Sequence, residues 1–360
     1  MDICTIRRDL HQIPELGRKE YKTKQYLLDF GKRLNCKVLE VAATGVVFVF
    51  DVGRQHTLCF RADMDALPIG EKTGLSYASR HPRLMHACGH DGHMAMLLGF
   101  AEWASSHRFE LQNNVVCLFQ PSEEDNAGAN DILKSGILEE LGVEQIFGMH
   151  IWPTLKENTL FTMPGGMLAT SGEVDIVIHG RSCHAANRSE GIDALLTAAQ
   201  LVQQFYAIGE GVSKPHLISF GRLEAGTVRN AVADTAYLQA TMRAFDDATF
   251  TLLTQELKQL IFRLEQQTGV RIELSINAAY PSVLNDEMLV DKYRDLLSLH
   301  ILEKPFLQAE DFGCYTRRYR CLFMLLGCGN QALLHTADFN FNEEILFTGY
   351  EAYKKIACYK

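Results

Sequence analysis

Short apolar runs at 46–50, 57–60, 115–119 and 146–149 are rich in β-branched and aromatic residues, which predicts buried strands. Between them, residues 93–107 carry an apolar face at helical spacing. Residues 127–141 do the same, with a break at Gly136. Strands and helices alternating in this way favour a largely parallel sheet covered on both faces.

From about Gly172 the pattern changes. A partly alternating run at 173–179 precedes a helical pattern over 192–208 and strand-like runs at 217–223 and 235–244. A long helix over 248–267 and a strand at 270–276 follow. That order is β-α-β-β-α-β, a ferredoxin-like split unit. Beyond Pro281 the first style returns, with a helix over 287–298 and a buried strand at 322–326. The expected fold is α/β: a larger domain of residues 1–170 and 281–360, interrupted by a smaller one at 171–280. A chain of 360 residues agrees with two domains rather than one core.

Charge and cysteine usage narrow the partners. Lys and Arg number 35 against 44 Asp and Glu, a net charge of -9, and no basic stripe offers a surface for general nucleic-acid binding. Apolar runs such as 321–326 are far too short to cross a bilayer. The first ten residues, MDICTIRRDL, mix charges and lack an apolar core, so no secretory signal is expected. The ten cysteines are scattered, and Cys59, Cys117 and Cys321 sit in apolar runs where a thiol acts as a small hydrophobe. This suits a reducing cytoplasm.

Four segments share one layout, in which an apolar run gives way to acidic or imidazole groups. Phe60 leads into Asp63 and Asp65, Phe119 into Glu123 and Glu124, 147–149 into His150, and 322–326 towards His335. In open α/β sheets, ligands bind beyond the carboxyl ends of the strands. A fifth segment, HACGHDGH at 86–93, immediately precedes a helix, and its glycines allow tight turns that bring thiolate and imidazole together. Cys88, His90, Glu124, His150 and His335 thus make a set of S, N and O donors suited to one or two divalent ions. Taken singly, each has a plainer explanation. A histidine after a strand is commonly hydrogen-bonded structure, a lone Cys packs, paired glutamates are usually solvated, and Asp often satisfies backbone donors. Convergence at the sheet ends is what favours a shared site.

Several stretches also match a known family in order and approximate spacing: RRDLHQIPELGRKE (7–20), RADMDALPIGEKTG (61–74), MHACGHDGHMAMLLGFA (85–101), FQPSEEDNAGA (119–129) and GMHIWP (148–153). SCHAANRSEGIDAL (182–195), EAGTVRNAVAD (224–234), TMRAF (241–245), AEDFG (309–313) and LLHTADFNFNEEIL (333–346) continue the match. The chain resembles the metal-dependent aminoacylase/carboxypeptidase family of amidohydrolases, in the branch that includes hippurate hydrolases, N-acetyldiaminopimelate deacetylases and auxin-conjugate hydrolases. The N-terminal stretch looks most like the diaminopimelate deacetylases.

The resemblance implies a two-metal centre held by Cys88, His90, Glu124, His150 and His335. Glu123 would be the general base, and Asp63 would orient a metal-binding histidine. It also implies that the inserted domain is a lid through which a homodimer forms. On that lid His184 would stabilise the tetrahedral oxyanion, reaching across a dimer in one arrangement, while Asn230 and Arg243 would hold substrate. Arg61 stands where other branches place a metal-binding histidine, and Cys88 would compensate.

The implied cofactors are two divalent ions, Mn or Zn foremost, with Co or Ni also compatible. The implied reaction is removal of the acyl group from N-acyl amino acids, with a lean towards N-acetyldiaminopimelate and lysine biosynthesis. A broad aminoacylase or hippurate hydrolase, and a dipeptidase or carboxypeptidase, are the enzyme alternatives. A ligand-binding protein on the same scaffold is the non-enzyme alternative.

Overall fold

The computed structural model describes residues 2–125, 128–329 and 332–360. The chain separates into two compact units. One comprises Met1–Gly165, Leu284–Lys304 and Asp311–Lys360, the other Gly166–Val283 and Pro305–Glu310. The sequence pattern assigns 166–170, 281–283 and 305–310 to the larger domain, and all three fall instead in the smaller unit. Backbone pairing explains this. Phe306 N–H donates to Met167 at 3.0 Å, and Ala169 N–H donates to Phe306 and Gln308.

In the first unit eight strands among the described residues form one sheet. Their spatial order is Lys37–Val41, Gly45–Phe50, Asn114–Gln120, Thr57–Asp63, Val143–Trp152, Arg320–Gly327, Leu160–Thr162 and His300–Ile301. The four central strands, from Asn114–Gln120 to Arg320–Gly327, run parallel. Antiparallel pairs join Gly45–Phe50 and Leu160–Thr162 to either side of them. The expected parallel sheet is therefore parallel at its centre and mixed at its edges. Burial gives the reason: Thr57–Asp63 is buried at every position, as a strand covered on both faces must be, whereas edge strand Lys37–Val41 is largely open.

The helix expected at 93–107 runs from His90 to Ser106 and is buried continuously from His90 through Ala101. A helix apolar on all sides belongs inside a core. It packs against helices Ile3–His11 and Ile345–Cys358, neither of which stands out in the apolar pattern. The helical stretch expected at 127–141 begins on a residue outside the described ones. From Gly128 it divides into Gly128–Ser135 and Ile137–Glu140, because Gly136 takes a left-handed φ of 73°.

The second unit follows the β-α-β-β-α-β order as Thr170–His179, Ala194–Glu210, His216–Ala225, Thr235–Ala244, Asp247–Thr268 and Arg271–Tyr280. Its four-stranded antiparallel sheet has Thr170–His179 and Thr235–Ala244 at the centre and His216–Ala225 at one edge. Val174, Ile176 and Ile178, with Ala236, Leu238 and Met242, point to one face and pack with residues of both helices. The helix starts are set by Asp193 and Asp246, whose carboxylates cap the N–H groups of Leu196 and Thr249. None of the ten cysteines forms a disulfide.

Candidate metal centre

The parallel strands deliver their polar groups to one place. Thr57–Asp63 ends on Asp63 and leads to Asp65, and Asn114–Gln120 leads through Pro121 to Ser122, Glu123 and Glu124. His150 lies near the end of Val143–Trp152, and the chain beyond Arg320–Gly327 returns with His335. Cys88 and His90 flank Gly89, whose left-handed φ of 85° turns the chain into the helix that begins at His90. His335 also has a left-handed backbone, φ 61°, and is pinned by its N–H donating to Ala87 at 2.8 Å.

The five donors expected to bind metal come together. Cys88 Sγ lies 3.4 Å from His150 Nε2 and 3.3 Å from His335 Nε2. Glu124 Oε1 lies 3.2 Å from His335 Nε2 and 3.8 Å from His90 Nε2. Donors sharing one ion at metal–ligand lengths of 2.0–2.3 Å stand about 3.5 Å apart. Glu123, next in the chain to Glu124, is also buried, and its charge acts on the Cys88 thiol.

The neighbouring backbone fixes which nitrogens face inward. His90 Nδ1–H donates to the Asp65 carbonyl at 2.9 Å, and His150 Nδ1–H donates to the Ile151 carbonyl at 2.7 Å. Each ring thereby presents Nε2, the arrangement that an outer hydrogen bond imposes on a metal-ligating histidine. His90 Nε2 and Glu124 Oε1 are buried without a hydrogen-bond partner among the described residues. Buried polar atoms are rarely left so, which fits a cation between them.

Asp63 behaves differently from the simplest expectation. Its Oδ1 accepts from His93 Nδ1 at 2.6 Å, and it meets His90 Nε2 only at 3.8 Å. His93 in turn accepts the Ile151 N–H on Nε2 at 2.9 Å. Both nitrogens of His93 are engaged, so it supports the site rather than offering a donor. The signal for His93 was present in the third histidine of HACGHDGH, but sequence spacing did not separate supporter from donor.

The electrostatics favour a cation. Burial pushes the Cys88 thiol well above its usual range, and the charges of Glu124, Glu123 and Asp63 add to this. Burial by itself would lower His90, but Asp63, Asp65 and Glu124 outweigh it and lift His90 to about 10. Burial and His93 hold His150 well below the ordinary imidazole range, hence neutral with its Nε2 lone pair turned towards Cys88. A site crowded with acidic groups, thiol and imidazole suits a divalent ion.

Arg61 lies beneath this cluster, 1% exposed. Its guanidinium donates to Asp63 and Asp311, each at 2.7 Å, and to Gln120 at 2.9 Å. Gln120 also donates to Asp311 and accepts from the Tyr315 hydroxyl. Arg61 is thus the counter-charge for two buried carboxylates.

His184, Asn230 and Arg243 belong to the second unit. His184 Nδ1 accepts the Ala186 N–H at 3.1 Å, which places the ring proton of the neutral form on Nε2. Asn230 lies alongside, its carbonyl accepting the Ala185 N–H at 2.9 Å. Arg243, on strand Thr235–Ala244, donates through Nη1 to the Leu307 carbonyl at 2.9 Å.

Thiol, imidazole and carboxylate groups converging at the ends of a parallel sheet, with a second carboxylate next in the chain, are those of a metal-binding hydrolase. Residues 59–358 match the model of peptidase family M20/M25/M40, and the chain belongs to that family. It is an amidohydrolase of the family. A Listeria monocytogenes protein named N-acetyldiaminopimelate deacetylase is 34% identical over 96% of this chain and 95% of its own. A Staphylococcus saprophyticus relative, called only an uncharacterised hydrolase, is 32% identical over 97% and 95%. A Bacillus subtilis structure described as a dinuclear metal binding peptidase of the M20 family superposes with a TM-score of 0.87. It is 29% identical and covers 99% of this chain and 96% of its own. No helix among the described residues is long and apolar enough to cross a membrane.

Proposed function

We propose that the protein removes the acyl group from N-acyl amino acids at a centre of two divalent ions, with N-acetyldiaminopimelate the favoured substrate. The observation that carries the reading is the buried Glu123 beside five convergent donors, Cys88, His90, Glu124, His150 and His335. The lean towards the diaminopimelate derivative rests on the Listeria relative and on the N-terminal stretch 7–20. It would place the protein in the cytoplasm, in lysine biosynthesis. Mn or Zn suits the donor set best, with Co or Ni compatible.

When bound, a divalent ion polarises the amide carbonyl and makes a water acidic enough to attack near neutral pH. Glu123 accepts the proton of the attacking water and returns it to the departing amine nitrogen. Glu124, its neighbour, serves as a ligand. The Nε2–H of His184 donates to the oxyanion that forms on the carbonyl, a class of contact typically worth about 2.7–4 kcal/mol in the transition state. Arg243, whose Nη1 donates to Leu307, and Asn230 hold the free carboxylate of the amino acid. The second unit acts as lid and homodimer interface. The edge strand His216–Ala225 and the exposed Leu195, Leu196, Leu223 and Val228 support that role.

The test is amine release by metal-stripped protein resupplied with Mn or Zn. Substrates are N-acetyl-LL-diaminopimelate, N-acetylmethionine, hippurate and a simple dipeptide. Release that strongly favours the diaminopimelate derivative is the expected result. Comparable release from several acyl amino acids would make the protein a broad aminoacylase, and preference for the dipeptide would make it a dipeptidase. Absence of turnover with tight ligand binding would leave a binding protein on this scaffold.

A further inference from the structure

The loop that carries Glu123 and Glu124 is held in an unusual way. Ser122, just before it, has a left-handed backbone with φ 61°, although it is not glycine. Three successive amides of this loop are each taken by a carboxylate oxygen. Ser122 N–H donates to Glu20 Oε1 at 2.9 Å, Glu123 N–H to Asp65 Oδ1 at 3.1 Å, and Glu124 N–H to Asp65 Oδ2 at 3.0 Å. Glu20 is fully buried and Asp65 is 1% exposed. The other oxygen of Glu20 accepts the Thr44 hydroxyl at 2.5 Å, and no Lys, Arg or His pairs with it among the described residues. A buried carboxylate without a counter-charge is costly. Here its two oxygens go to one hydroxyl and one loop amide.

The contacts extend on both sides. Asp65 also engages His90 through its carbonyl, so it touches the loop and a donor on a different segment. A Cβ on Gly17 would come within 2.0 Å of Asp125 Oδ1 and 2.7 Å of Ser122 Oγ, so the N-terminal loop packs directly on the same turn. This gives the 7–20 stretch, to which the ligand chemistry assigns no task, a place beside the centre.

We propose that Glu20 and Asp65 are positioning residues: a cradle of two carboxylates that fixes the Ser122–Glu124 backbone and so aims Glu123 and Glu124. The proposal rests on the functional reading above. Losing an amide acceptor frees the Ser122 peptide to rotate. That redirects the base and a metal donor together while leaving groups that contact substrate untouched. The signature is a loss of kcat and of metal affinity with little change in KM.

The experiment compares Glu20→Ala, Glu20→Gln and the parent. It measures Mn and Zn affinity by titration, kcat and KM with each amide substrate above, and amide hydrogen exchange across 120–125. Changes in the outer hydrogen bonds of a metal site typically weaken affinity or activity by about 10–100-fold. Glu20→Ala is expected to lose about tenfold or more in metal affinity and in kcat, to keep KM within about threefold, and to exchange faster across 120–125. Glu20→Gln retains an acceptor for Ser122 N–H and is expected to recover most of each value.

Parental behaviour of Glu20→Ala in all three measurements overturns the cradle. So does a Glu20→Gln variant as impaired as Ala, which would mean that charge rather than the acceptor matters. If Glu20→Ala fails to fold, Asp65→Asn replaces one of the two oxygens that accept the Glu123 and Glu124 amides with an NH2 donor, and parental metal affinity, kcat and exchange in it overturn the cradle equally. A parent that neither binds metal nor releases amine overturns the functional reading and the cradle with it. A competent parent with unchanged variants overturns the cradle alone.

Discussion

Replacing Arg61 with methionine would test the charge balance beneath the metal centre. The side chain is fully buried and bridges Asp63 and Asp311, both of them buried, at 2.7 Å each. Methionine fills much of the volume but leaves two carboxylates without their shared cation. Breaking one buried ion pair by removing a partner typically costs about 3–5 kcal/mol. Two pairs are lost here, but His90 and His93 remain beside Asp63 and offset part of its loss. The expected destabilisation is therefore near that of one pair, about 4 kcal/mol. In a domain of this size that lowers Tm by about 8–16 °C. Urea and thermal unfolding of metal-free protein measure it directly. Arg61→Lys, which keeps the charge but cannot fork to both acids, should fall between parent and methionine variant. Asp311→Asn added to Arg61→Met should cost less than the sum of the two, because it removes one of the stranded charges. An Arg61→Met variant within about 1 kcal/mol of the parent would refute the reasoning, since no buried counter-charge can be so cheap to remove.

Three further outcomes are expected. Glu123→Gln should keep metal content and fold while losing about 10²–10⁴ in kcat, and near-parental turnover would remove Glu123 from the role of base. Cys88→Ala should weaken metal binding measured by titration, and unchanged stoichiometry and affinity would show that the thiol is no ligand. His11 gives a pH test. Burial alone would lower its pKa, but the charge of Asp91 and the hydrogen bonds that the ring donates to Asp91 and Glu71 lift it to about 9. The resulting stability is complete below the unfolded value near 6.5 and is lost as pH rises through about 9, roughly 3 kcal/mol in all. Unfolding free energies of the parent should therefore decline between pH 6.5 and 9.5, and those of His11→Gln should decline less. Parallel profiles would contradict this.

The legible parts of the chain were those with local causes. Short β-branched runs had to be strands, and the change of rhythm near Gly172 marked a second unit of β-α-β-β-α-β order. Helix Ile3–His11 was harder to see. Its buried Ile3, Ile6 and Leu10 are interleaved with charges, and one of those, Arg7, is itself buried against Asp91. The backbone pairing that draws Pro305–Glu310 into the second unit is non-local, so no property of those six residues announced it.

The centre divides in the same way. By itself the sequence determined the donor chemistry, because thiol, imidazole and paired carboxylates at strand ends are properties of residue type and order. Tertiary structure decided which of them converge and which are taken up by hydrogen bonds from other segments. His93 and His90 are both histidines of HACGHDGH, yet the fold occupies both nitrogens of His93 while leaving Nε2 of His90 without a partner among the described residues. Glu20 lies 102 positions from Ser122 and holds its amide all the same. Hydrogen bonds are directional and short, so a role that depends on one is settled only when packing brings distant segments within about 3 Å.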